Sequence, residues 1–92
     1  MHCYTPFISG TLLPWSGPTL PSVDPATGTE WCSVAACGVA EADLAIQSAD
    51  QAFRIGPWAT ADGAARAEIL DKLADALETR WEELVEPEVR DN

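Results

Sequence analysis

Ninety-two residues carry five Lys or Arg against fifteen Asp or Glu, a net charge of −10, with 47% apolar and 22% charged side chains. That composition describes one globular domain at most, stable by a modest margin, with no room for an enzyme of separate cofactor and substrate domains. It also excludes the nucleic-acid backbone and anionic lipid as partners, since both repel so acidic a chain, and no run of about 20 apolar residues exists to span a bilayer.

The N-terminal part is punctuated by proline and glycine. Residues 1–29 hold five of the seven prolines, a single acidic residue, Asp24, and no Lys or Arg. With no basic residue, and with Pro6, Gly10 and Pro14 interrupting it, the N-terminus makes a poor signal peptide. Thr5–Ser9, Thr11–Trp15 and Thr19–Val23 are too short for helices and suit short strands. Ser16-Gly17-Pro18 reads as a turn between the second and third. Asp24-Pro25-Ala26-Thr27-Gly28 reads as another, with Pro25 fixing φ near −65° and Gly28 free to take positive φ. Thr29–Ala36 forms a fourth strand, bounded by Gly38.

Helical periodicity begins at Glu41 and runs to Arg54. Ala42, Ala45, Ile46, Ala49, Ala52 and Phe53 share one stripe; its small side chains predict close packing against a neighbour. Glu41 and Asp43 suit the first turn and Arg54 the last, and Gly56-Pro57 stops the helix. Asp62 is the predicted N-cap of a longer helix over 62–86, with Ile69, Leu70, Leu73, Leu77, Leu84 and Val85 on its buried face. Asp62–Arg66 and Glu68–Lys72 form i, i+4 pairs. Thr79-Arg80-Trp81-Glu82 reads either as an internal capping box that breaks and restarts this helix or as part of one continuous helix. Pro87 predicts a kink or a stop, because it loses a hydrogen bond and clashes with the carbonyl of Glu83. The fold class is α+β: strands and turns over 1–36, then helices over 41–54 and 62–86.

Chemistry-bearing residues are sparse. His2 is the only histidine and lies at a terminus expected to fray. Cys3, Cys32 and Cys37 are odd in number, lack metal-ligand spacing and have no base nearby in sequence; they predict free thiols in a reducing, cytoplasmic setting. There is no GxGxxG, P-loop or HExxH motif. Glu82-Glu83 and Glu86-Pro87-Glu88 read as a solvated helix face, and the four tryptophans as packing residues. No catalytic residue and no cofactor-binding residue emerges.

The order of the pieces is nevertheless specific. Phe7-Ile8-Ser9-Gly10 resembles the "F/Y-I-N-G" opening of NAD(P)-dependent aldehyde dehydrogenases, and Val23-Asp24-Pro25-Ala26-Thr27-Gly28 resembles that family's "V/I-N-P-A-T-G", with Asp for Asn. Ala40-Glu41-Ala42-Asp43-Leu44-Ala45-Ile46 is similar to its first helix, and Ala52-Phe53 with Pro57-Trp58 to that helix's "A-F…W" end. Arg66 with Ile69-Leu70 and Leu73-Ala74 resembles "R-x-x-I-L-x-x-L-A-D-x-L"; Glu83-Leu84 through Glu88 and Asp91-Asn92 resembles "E-L-x-x-L-E-T-x-D-N". The resemblance runs from Phe7 almost to the end of the chain and covers only the start of a family whose members are several times longer.

It implies placement at the edge of the α/β cofactor-binding domain of the aldehyde dehydrogenase fold. The implied parent reaction oxidises an aldehyde to an acid through a thiohemiacetal, with hydride passing to NAD or NADP. The family's coenzyme motifs, glutamate base and cysteine nucleophile lie beyond the matched segment, so neither coenzyme is expected to bind this chain alone. Its expected partner is the remainder of a dehydrogenase chain, or a second copy of itself, and not nucleic acid or membrane. Some members bind a monovalent cation through two backbone carbonyls before the Asn-Pro motif and a carboxylate on a later helix. The matching positions are Ser22, Val23 and Asp91; an ordinary strand end and a solvated Asp is the alternative. Pro87 stands where the family has an apolar residue, which would displace Asp91. The halt at Asp91-Asn92, where the family pattern continues Gly-Lys, reads as a truncation. A stand-alone acidic interaction module, or a truncated product without function, are the other readings.

Overall fold

The computed structural model describes all 92 residues. Its centre is a three-stranded sheet of order β1-β5-β4, made from β1 (His2–Tyr4), β4 (Thr19–Asp24) and β5 (Thr29–Ala35). A separate hairpin joins β2 (Phe7–Ile8) to β3 (Thr11–Leu12). Four helices follow: α1 (Val39–Ile55), α2 (Pro57–Thr60), α3 (Gly63–Thr79) and α4 (Trp81–Asp91). The order of short strands followed by helices is the predicted α+β arrangement. No helix is long and apolar enough to cross a membrane.

Strand β5 holds the sheet together. β4 pairs with it antiparallel, from Thr19↔Ala35 to Asp24↔Thr29, and β1 pairs parallel on its other side, from His2↔Cys32 to Tyr4↔Val34. The turn joining β4 and β5 follows from its residues. Asp24 accepts the Ala26 amide on its side chain at 2.8 Å and the Gly28 amide on its carbonyl at 2.7 Å, and Gly28 takes φ +70°. An Asx-type turn closed by a left-handed residue is what Asp-Pro-Ala-Thr-Gly supplies. Pro21 lies inside β4, which is tolerable because β4 is an edge strand.

The N-terminal segments are shorter than predicted. Thr5–Ser9 contributes only Phe7–Ile8, and Thr11–Trp15 only Thr11–Leu12. Pro6 and Pro14 flank the hairpin and cannot donate to a ladder. The tip uses Ser9 at φ 53° and Gly10 at φ 77°, the two consecutive positive values that a two-residue hairpin turn requires. His2 does not fray: it begins β1, a strand whose partner lies thirty residues away and leaves no local signal.

Among the helices, α1 starts at Val39 rather than Glu41. Its N-cap is Gly38, and Glu41 at the third position accepts the Gly38 amide at 2.8 Å. Pro57 does more than stop α1; it opens the one-turn helix α2. Asp62 caps α3 as predicted, accepting the Ala65 amide at 2.8 Å. The Asp62–Arg66 pair is absent, because that carboxylate is committed to the cap and Arg66 donates to the Trp58 carbonyl instead. Glu68–Lys72 does form, at 3.4 Å.

The helix predicted over 62–86 is divided at Arg80, where φ −108° and ψ 20° leave the helical region. Thr79 is not the cap, since its hydroxyl donates back to the Asp75 carbonyl at 2.9 Å. Pro87 does not stop α4, which runs on to Asp91. Arg90 pairs with Glu86 at 2.8 Å across the turn that contains Pro87.

The molecule is flat and open, 47 × 34 × 18 Å, with a radius of gyration of 16.8 Å. A compact chain of this length would have about 12 Å. Cys32, at 2% exposure, is the only buried residue. Leu70 is 55%, Leu73 53% and Leu77 47% exposed, so the stripe read as a buried face lies in water.

With no core to lean on, α3 depends on local devices. Asp62→Ala removes the cap and is expected to cost about 1 kcal/mol of helix stability. Thr79→Ala removes only a back-bond and should change little. Far-UV circular dichroism during urea titration of both variants distinguishes them; equal losses would contradict this assignment of the cap.

Candidate functional site

A polar junction lies where the sheet meets α4. Along β4 and β5 the register passes from Ser22↔Cys32 to Val23↔Glu30, which leaves Trp31 as an extra residue on β5. Such a bulge re-aims the side chain it carries. The Trp31 indole Nε1 donates to Ser22 Oγ at 3.1 Å, and the Ser22 hydroxyl donates in turn to Asp91 Oδ1. One serine on a short strand therefore joins the bulge of the central strand to the end of the last helix, across 69 positions of sequence.

Between α4 and the sheet lies a cleft of about 500 Å³. Tyr4 and Trp31 form its aromatic side, 6.2 Å apart and edge to face. Arg80, Glu83, Glu88 and Asp91 line it from α4 and its N-cap. Arg80 is paired with Glu83 at 2.8 Å, and Glu88 accepts the Asn92 side-chain amide at 3.1 Å. Three carboxylates against one guanidinium make this cleft repellent to a pyrophosphate, so its residues do not fit a dinucleotide.

The structure also places the residues that sequence reasoning set aside. His2 and Cys32 are partners in register, but no hydrogen bond joins imidazole and thiol. The imidazole packs edge-on to Tyr4 at 4.4 Å, while Cys32 is sealed from solvent. Cys3 is partly covered and Cys37 exposed, and all three thiols are free. A nucleophile needs access and a base within hydrogen-bond reach, and no thiol here has both.

Of the three positions matched to a cation seat, Ser22 and Asp91 are brought together, and Pro87 does not displace Asp91 from the strand end. The contact uses the Ser22 hydroxyl, a donor that the carbonyl-based expectation passed over; Val23 follows the bulge and is exposed. No group of three or more His, Cys, Asp or Glu is placed closely enough to hold a metal ion by itself. A set of one carboxylate and neutral oxygens has the charge suited to a hard monovalent ion rather than a transition metal. The indole of Trp31 is the member of this junction that sequence reasoning missed. A bulge shows itself only in the pairing of two strands, and Trp31 alone reads as packing.

A second contact ties the hairpin to α1. Ser9 Oγ donates to Ser48 Oγ at 2.8 Å, on the helix face that also carries Ala45, Ala49 and Ala52. The hairpin is thus the neighbour expected for the alanine stripe, although it covers only part of it, and a hollow of about 440 Å³ remains between them.

The model of the aldehyde dehydrogenase family matches residues 14–92. The chain is similar to 2-aminomuconic semialdehyde dehydrogenase of Danio rerio, 38% identical over 85 residues, which cover 92% of this chain and 17% of that protein. It is 40% identical over 86 residues to 2-hydroxymuconic semialdehyde dehydrogenase of Pseudomonas sp. (strain CF600), covering 92% of this chain and 18% of the relative. Aldehyde dehydrogenase 1A1 of Macaca fascicularis is 45% identical over 64 residues, 68% of this chain and 13% of the relative. The chain thus spans less than a fifth of the length of these relatives. No solved structure matches it significantly.

Ser22→Ala should release both partners of the serine at once. The expected loss is about 1 kcal/mol, typical of an exposed network, with faster amide exchange confined to Val89, Arg90 and Asp91. Hydrogen-exchange NMR checks this; unchanged protection at the end of α4 would show that the junction does not anchor the helix.

Proposed function

The chain belongs to the aldehyde dehydrogenase family, and on that footing we propose that it is the N-terminal structural part of an NAD(P)-dependent aldehyde dehydrogenase. In this reading its strands and helices form the edge of the cofactor-binding domain, while residues of a completing polypeptide bind coenzyme and perform the oxidation of an aldehyde to a carboxylic acid. The observation that carries the proposal is the near absence of a core. One residue of 92 is buried, and the apolar stripes of α1 and α3 face water. Phe53, at 81% exposure, would forfeit roughly 1.5–3 kcal/mol by remaining wet, against roughly 5–15 kcal/mol for the whole stability of an ordinary domain. Surfaces of this kind call for a cover.

The chain's own residues support a structural role. Neither a reachable nucleophile–base pair nor a basic cradle for a dinucleotide is present, so no chemical step is assigned to them. The Ser22–Asp91 junction supports a further element of the reading: the carbonyls of Ser22 and Val23 and the carboxylate of Asp91 would hold a monovalent cation, which would add electrostatic cohesion between strand end and helix end.

Two measurements test the proposal. The 92-residue chain alone should produce no NADH or NADPH from short or long aldehydes. It should also sediment as an associating species, bind an apolar dye and unfold in urea over a broad range. Mixed with the Pseudomonas relative from which the matched stretch has been deleted, it should form a stable complex whose unfolding is steeper. A monodisperse monomer with a steep transition and no dye binding would replace this reading with that of a stand-alone module.

A further inference from the structure

Arg66 stands apart from the other bases. Arg54, Lys72, Arg80 and Arg90 each pair with a carboxylate three or four residues away, at 2.8–3.4 Å. Arg66 alone has no acidic partner, in a chain with three acids for every base. Its side chain is nevertheless held in place. Nε and Nη2 donate to the Trp58 carbonyl at 3.2 and 3.0 Å, and the guanidinium lies over the Trp58 ring at 5.4 Å from its centre. A guanidinium carries five N–H groups in a fixed fork. Two are spent on Trp58, and the edge between Nη1 and Nη2, where two parallel N–H groups can receive a carboxylate, is left over.

Beside it lies a cleft of about 540 Å³ bounded by Ala52, Phe53, Trp58, Ala59 and Arg66. It lies between the end of α1, the single turn of α2 and the start of α3. Four of its five residues are apolar, and Phe53 is almost fully exposed. Aromatic rings with an arginine at the edge of an apolar slot are the composition of binding hot spots.

We propose that this cleft seats a segment of the completing polypeptide in which an apolar side chain, filling the slot between Phe53 and Trp58, stands next to a carboxylate received by Arg66. This rests on the proposed function and names the chemistry of the partner at one place on the interface. A carboxylate fits better than a phosphate group, because one base lines the cleft and a net charge of −10 disfavours a doubly charged ion. The guanidinium is already oriented by Trp58, so little side-chain entropy is lost on binding.

The seat is tested on the 92-residue chain with 3-phenylpropionate and its uncharged amide, 3-phenylpropanamide, following the Arg66 Nε–H resonance by NMR. The carboxylate should saturate the shift at concentrations at least tenfold lower than the amide. Arg66→Met should abolish that preference, and Arg66→Lys, which keeps charge but loses the fork, should retain part of it. Equal response to acid and amide, a preference kept in Arg66→Met, or no saturable response to the acid would overturn the proposal. Capture of the shortened Pseudomonas relative supplies the second arm. Arg66→Met should weaken capture by the chain at least fivefold. Absence of capture by the unaltered chain counts against the proposed function, while the titration decides the seat.

Discussion

Everything in this molecule hangs on strand β5. It is the only strand with partners on both sides, it carries the only buried side chain, and its bulge turns Trp31 toward the one serine that reaches the last helix. Without β5, β1 would be three residues with no ladder and β4 an edge with nothing to pair. A two-stranded hairpin is marginal in water; a third strand is the least that gives a sheet independent standing. Here that third strand is β1, parallel to β5, and it arrives from thirty residues away.

The helices are held by different means. α1 has Glu41 on the Gly38 amide and Arg54 on Asp50; α3 has Asp62 on the Ala65 amide and Lys72 on Glu68. Each device adds only tenths of a kcal/mol to about one, and helices of seventeen residues are near the length at which isolated helices become marginal in water. Local capping therefore specifies where the helices begin, while tertiary packing, which usually supplies most helical stability, is nearly missing. The alanines of α1 and the leucines of α3 are patterned for burial all the same. Patterning for burial is thus written into a chain that lacks the matching contact within it.

Much of the fold was legible because its signals are local. Asp24 through Gly28 forms its turn from five adjacent residues, and Asp62 caps the helix that begins beside it. What was not legible depends on pairing at a distance. β1 needed its partner in β5, the Trp31 bulge needed the register with β4, and Arg66 needed to be seen choosing the Trp58 carbonyl over Asp62. Pro87 shows the converse. The rule that proline breaks helices is sound for an isolated helix, but α4 is tied beyond Pro87 by Arg90–Glu86 and by Asp91 to Ser22, and it persists. At the junction, Ser22 and Asp91 were singled out by motif resemblance, as positions matched to a cation seat, whereas the neighbouring indole was not, because a tryptophan beside a strand end carries no sign of a bulge.

The charge and the exposed apolar surface bear on each other. Two copies of a chain with a net charge of −10 repel, and in dilute salt that repulsion reaches beyond the contact distance. Apolar burial would draw them together in spite of it, since the stripes of α1 and α3 offer side chains such as Leu70, Leu77 and Phe53 to any surface that excludes water. A second copy therefore satisfies the apolar faces and opposes the charge, whereas a completing polypeptide without that excess of acid satisfies the faces without the repulsion. Salt separates the two: screening lowers the cost of joining two acidic copies and does little for a pairing that carries no like-charge cost. Under the proposed reading, association between copies is therefore the poorer use of the same surface.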